Sequence, residues 1–253
     1  MISTEDVRQL FQSILATPGG YTDPKMAGKT TQIFRGMRFW KGDHPASCKR
    51  HKMVFNKFGV IPEYCFDCYK VEILPRTIVE LFKLLMAFEK LSLQNDNTRK
   101  CMVEGRDNCS GAYKGFVYCR GIDEGQEVQK ILRNAISDDI STQVPVGLKR
   151  GCSEYAHVHP EYPQIESGVA KMEYKEDWRA QEALFDENFR FQLNIPNTGT
   201  YPTGTYPPHE IYSMQYWLRY AATIGDMSYL TISGARLAPI PYLKRPKFGA
   251  AKK

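Results

Sequence analysis

The 253-residue chain has no run of eighteen apolar residues, which argues against a helix that spans a membrane. Its first residues lack a basic stretch followed by an apolar one and carry Glu5 and Asp6 instead, so no secretory signal is read there. Glycine, proline and charge are present at ordinary levels, which sets aside collagen-like, coiled-coil and disordered classes. There is no Gly-x-Ser-x-Gly elbow, no His-Glu-x-x-His and no dinucleotide glycine fingerprint. Gly28-Lys29-Thr30 ends like a phosphate loop, but Asp23 stands where the first glycine of that loop belongs. No repeat suggests a solenoid or propeller. Seven cysteines, an odd number, fit a reducing compartment better than a disulfide scaffold, and a cytoplasmic location is expected.

The net charge of +6 is unevenly placed. Residues 1–63 hold ten Lys/Arg against five Asp/Glu, residues 64–158 balance at thirteen each, and residues 159–253 hold eleven against ten. Lys244, Arg245, Lys247, Lys252 and Lys253 crowd the last ten positions. A basic head and tail suit a polyanion such as nucleic acid, although a solubilising surface has the same composition.

Three segments are expected. In residues 1–63, a capped amphipathic helix from Ser3 to Ala16 carries Val7, Leu10, Phe11, Ile14 and Leu15 at helical spacing, and Pro18-Gly19-Gly20 ends it. Residues 19–63 read as irregular and basic. Residues 64–158 are the most legible part. Tyr69, Val71 and Ile73 alternate as a strand, and Pro75 opens a helix with Ile78, Leu81, Phe82, Leu85 and Phe88 on one stripe. Strands follow over Arg99 to Glu104 and Tyr113 to Arg120, joined by a loop over Asn108 to Gly111. Asp123 can cap a second helix through Ile136, and a last strand covers Val144 to Tyr155. This β-α-β-β-α-β order implies an α+β fold built on a ferredoxin-like plait. Alternation puts Val71, Val103 and Val117 beneath the helices, leaving Lys70, Lys100, Met102, Lys114, Phe116, Tyr118 and Arg120 on an open face. Residues 159–253 form a mainly helical, aromatic- and proline-rich extension with a basic tail. Helices are expected from Trp178 to Phe189 and from Pro208 to Gly225, a linker from Asn197 to Pro208, and a short strand from Tyr229 to Ile232.

Cys48-x2-His51, thirteen residues, then Cys65-x2-Cys68 is the sharpest local pattern. Two close pairs of soft donors can fold back on one another and hold a structural zinc tetrahedrally, with His44 as a spare ligand. The bland alternative makes Cys65 and Cys68 strand residues beside an unrelated histidine. Cys65, Cys101 and Cys119 fall on one predicted face; core packing accounts for them more simply than an iron–sulfur cluster. A redox role for Cys65-Phe66-Asp67-Cys68 lacks the helix N-terminus that such chemistry uses. His157-x-His159, with Glu154 and Glu161 near, reads as a solvated loop before it reads as a metal or acid–base site.

Lys114-Gly115-Phe116-Val117-Tyr118-Cys119 resembles in part the first ribonucleoprotein motif of the RNA recognition motif family, which lies on the third strand of such a plait. Lys114, Gly115, Phe116 and Tyr118 match, while Val117, Cys119 and Gly121 depart from the pattern. The resemblance implies that Phe116 and Tyr118 stack bases while Lys100, Lys114 and Arg120 meet phosphates, with Lys244, Arg245 and Lys247 adding charge from the tail. RNA or single-stranded DNA is therefore the expected partner, with no membrane involved. Two other readings stay open. One is a subunit of a ribonucleoprotein or capsid-like assembly, using the aromatic C-terminal third against protein partners or its own copies. The other is a thiol- or metal-dependent enzyme that combines the cysteines with His157 or His159.

Overall fold

The computed structural model describes residues 1–15, 32–35, 48–106, 109–188 and 206–234. Among these, the chain is mixed α and β, with five strands in one antiparallel sheet and eight α-helices.

Helix α1 (Thr4–Leu15) starts with the reciprocal cap its sequence predicts: Asp6 N donates to Ser3 Oγ at 3.0 Å, and Ser3 N to the Asp6 carboxylate at 2.7 Å. Strand β1 (Gln32–Arg35) and helices α2 (Cys48–Phe58) and α3 (Glu63–Phe66) lie in the stretch expected to be irregular. Lysines spaced through α2 dilute its apolar signal, and four residues are too few to establish strand alternation in β1.

Strand β2 (Cys68–Ile73) leads into helix α4 (Ile78–Lys90), which starts at Thr77 rather than Pro75 because the threonine hydroxyl caps Glu80 N. Strands β3 (Arg99–Val103) and β4 (Tyr113–Arg120) follow, then helix α5 (Gly121–Asp139) and strand β5 (Val146–Arg150). The last strand stops five residues short of the expected Tyr155. Gly151 turns the chain at φ +51°, and a 3-10 turn spans Ser153–His157. Helix α6 covers Trp178–Asn188, and α7 covers Pro208–Ile224 with Gly225 at φ +81° as its left-handed stop. Where a short strand was expected, a 3-10 turn (Met227–Tyr229) runs into helix α8 (Leu230–Ser233). Asp226 caps that turn through Ser228 N, a local hydrogen bond that favours helix over extended chain.

The strands lie in the order β1-β3-β4-β2-β5. Helices α4 and α5 cover one face, and Val71, Val103 and Val117 meet there with Cys101 and Cys119. Helices α1 and α7 extend the same core, which buries Trp217 completely. A second core at the β2–β5 end gathers Val54, Ile61, Cys65, Phe66, Tyr155, Tyr162, Trp178 and Phe185. Much of the C-terminal aromatic content is thus spent in the two cores. No helix among the described residues is long and apolar enough to cross a membrane.

Candidate functional site

Register fixes what the second sheet face carries. Phe34, Lys100, Phe116 and Glu72 form one cross-strand row over β1, β3, β4 and β2. Tyr118, Lys70 and Lys149 form the next over β4, β2 and β5. Lysines therefore sit beside aromatic rings by construction. Lys100 Nζ is 5.2 Å from the Phe116 ring centre and 5.9 Å from those of Phe34 and Tyr118. Lys70 Nζ is 5.3 Å from the Tyr118 ring, and Lys149 Nζ is 5.9 Å from that of Phe116. Each is within cation–π range.

This face is not open. Phe116 and Tyr118 are 8% and 7% exposed, and Lys70 and Lys114 are 7% and 5% exposed. Phe116, Tyr118, Met102 and Cys68 form a small buried cluster with Tyr64 of α3 packed against it. Arg120 lies at the margin, its guanidinium 4.7 Å from the Tyr64 ring centre and its Nε 3.4 Å from the Asp67 carboxylate.

Charge on this face is poorly balanced. Lys114 has Glu72 at 3.4 Å and Glu104 at 4.0 Å. Among the described residues, no carboxylate pairs with Lys70 or Lys100; Lys100 Nζ donates to Gln32 Oε1 at 3.3 Å and Lys70 Nζ to Cys152 Sγ at 3.2 Å. Burial, followed by repulsion from Lys70, lowers the Lys100 pKa from 10.5 to about 8. Burial also lowers that of Lys149.

The four expected zinc ligands lie on α2, on α3 and at the start of β2. Cys48 opens α2 as an exposed residue, yet burial raises the pKa of its thiol, which feels Lys70 and Lys100. His51 is buried and stacks on Tyr64 with ring centres 5.1 Å apart. The Cys65 thiol is 3.3 Å from the Tyr155 hydroxyl inside the second core, rather than on a strand face with Cys101 and Cys119. Cys68 faces the lysines, and burial pushes its pKa up to about 12. Among the described residues, no group of three or more His, Cys, Asp or Glu is placed to hold a metal ion.

His157 is exposed, and His159 Nε2 lies 2.8 Å from the Gly59 carbonyl with its ring against Trp178. Lys244, Arg245 and Lys247 lie outside the described residues, as do Gly28 to Thr30 and His44. A cleft of about 600 Å³ adjoins the face, with Arg50, His51, Tyr64, Asp67, Arg120 and Glu182 among its lining residues. Arg50 spans one side, donating to Asp186 at 2.7 Å and to Glu182 at 2.9 Å.

The chain matches no known family model, curated protein or solved structure. The site therefore rests on its own geometry. Sequence pattern does not assign Phe34, Lys149 or Cys152 to it: the only signal for Lys149 is its place in the last strand, and Phe34 sits in a strand too short to be recognised.

Proposed function

We propose that strands β2 to β5 with α4 and α5 form a ferredoxin-like split plait, to which β1 adds an edge, and that its second face binds RNA or single-stranded DNA. The order β3-β4-β2-β5, with both crossover helices on one face, supports the first part. One observation carries the second part: Lys70, Lys100 and Lys149 each lie within about 6 Å of the Phe116 or Tyr118 ring centre, and among the described residues none of the three is ion-paired to a carboxylate. Buried charge is ordinarily paired, and a phosphodiester would supply the missing counter-charge while its base takes up a ring face. Seven free thiols suit a reducing cytoplasm.

Because the rings are covered, a base reaches them only after the covering contacts yield. Association is then slower than electrostatic steering alone allows. The test is fluorescence anisotropy with a labelled single-stranded oligonucleotide across a salt series. Affinity should fall steeply with salt, and Lys100→Gln and Lys149→Gln should each reduce the slope by about 1. Affinity that ignores salt, or slopes unchanged in both folded variants, would refute the reading.

A further inference from the structure

Lys70 rises from the middle of β2 at 7% exposure, directly across the ladder from Lys149, and no carboxylate pairs with it among the described residues. What it touches is sulfur: its Nζ lies 3.2 Å from Sγ of Cys152. Gly151, at φ +51°, breaks the alternation of β5 and brings Cys152 round to Lys70. Cys152 is half-buried at the strand end, so a small oxidant can reach it while Lys70 stays enclosed. Peroxides react with a cysteine through its thiolate form.

We propose that Cys152 is a peroxide-reactive thiol and Lys70 its covalent partner, the two closing a reversible sulfur–nitrogen cross-link between the end of β5 and the centre of β2. The oxidant is hydrogen peroxide. In the first step the Cys152 thiolate attacks the peroxide: the S–O bond forms, the O–O bond breaks, and hydroxide departs. The Lys70 ammonium gives that hydroxide a proton, producing water and a neutral amine beside the new sulfenic acid. In the second step Nζ attacks Sγ: the S–N bond forms, the S–O bond breaks, and a second water leaves. Sulfur is oxidised by two electrons and peroxide is reduced to two waters, so thiolate, ammonium and peroxide are fully accounted for. A thiol reductant cleaves the S–N bond and restores both side chains. Cys68 and Cys48 share this face, but Lys70 is the nucleophile in contact with the sulfur. The cross-link removes one cation from the lysine face, yet the chemistry stands whether or not that face binds nucleic acid.

The test is peptide mapping of the full chain after brief treatment with hydrogen peroxide, digested without reductant. The expected product joins the β2 peptide to the Cys152 peptide, is lighter than their sum by two hydrogen atoms, and separates on adding dithiothreitol. Cys152→Ser should abolish it. Lys70→Arg should also abolish it while increasing the sulfenic acid trapped at Cys152 by dimedone. A disulfide from Cys152 to Cys68 or Cys48, sulfinic acid at Cys152 without a cross-link, or an unmodified Cys152 would each overturn the proposal. The wild-type map decides by itself, so a variant that fails to fold does not blur the result.

Discussion

Gly115 sits in β4 beneath α4, where a Cβ would lie 2.4 Å from Cδ2 of the fully buried Leu84 and 3.4 Å from Phe88. Its missing side chain is what lets the helix approach the sheet. Gly115→Ala should cost about 1–3 kcal/mol in denaturant unfolding, from overpacking. The penalty should shrink in a Leu84→Ala background, because the two atoms compete for one space. Lys100 makes a second point at this scale. Its folded pKa of about 8 lies below its ordinary 10.5, so its charged form is penalised in the folded protein. The unfolded chain binds the extra proton between these values, so this group's contribution to stability rises with pH across that window. Lys100→Met should therefore be more stable than wild type at pH 7, with the advantage fading as pH climbs through about 8 towards 10.5. Thermal unfolding of the pair across pH checks this, and an advantage that stays constant would refute it.

Among the elements, the edge strand β1 is tied to α7 and α4 by buried ion pairs. Arg35 donates to both carboxylate oxygens of Glu210, at 2.5 and 2.8 Å, and to Glu89 of α4 at 3.1 Å. Glu210 is 5% exposed, so the arginine depends on protein groups for its counter-charge. Glu210→Gln should cost about 3–5 kcal/mol by leaving Arg35 under-compensated, whereas Arg35→Met with Glu210→Met should recover much of the loss. Denaturation midpoints of the single and double variants test this. From sequence, Glu210 looks like an ordinary first-turn acid suited to the helix dipole. Its partner lies 175 residues away, in a strand that periodicity does not reveal.

For the whole molecule, the question is how the two cores are coupled. Arg150, at the end of β5, donates to Phe66 O at 3.0 Å and to Met172 O at 2.9 Å, and lies about 5 Å over the rings of Phe66 and Tyr162. It therefore ties the second core to the sheet. Trp178 reports on that core and Trp217 on the first. In chains keeping one of these tryptophans, both should report the same thermal midpoint. Arg150→Ala should lower the Trp178 midpoint while leaving that of Trp217 nearly unchanged. Equal shifts of both would mean that the cores are joined by other contacts.

Local pattern by itself determined the capped first helix, the strands around Val71, Val103 and Val117, the helices between them, and the shared face of Lys70, Lys100, Met102, Phe116 and Tyr118. Each follows from a period of two or of 3.6 read over a few neighbouring positions. Tertiary structure alone decided the rest. It added β1 and α2 from the stretch that reads as irregular, put Cys65 in the second core and Cys68 on the lysine face, and spent Trp178 and Trp217 in two different cores. It also buried the face on which Phe116 and Tyr118 sit. The physical reason is that a side chain's direction is set by its own backbone, while its neighbours and its cover come from strands and turns far along the chain, as Lys70 against Cys152 shows across 82 residues.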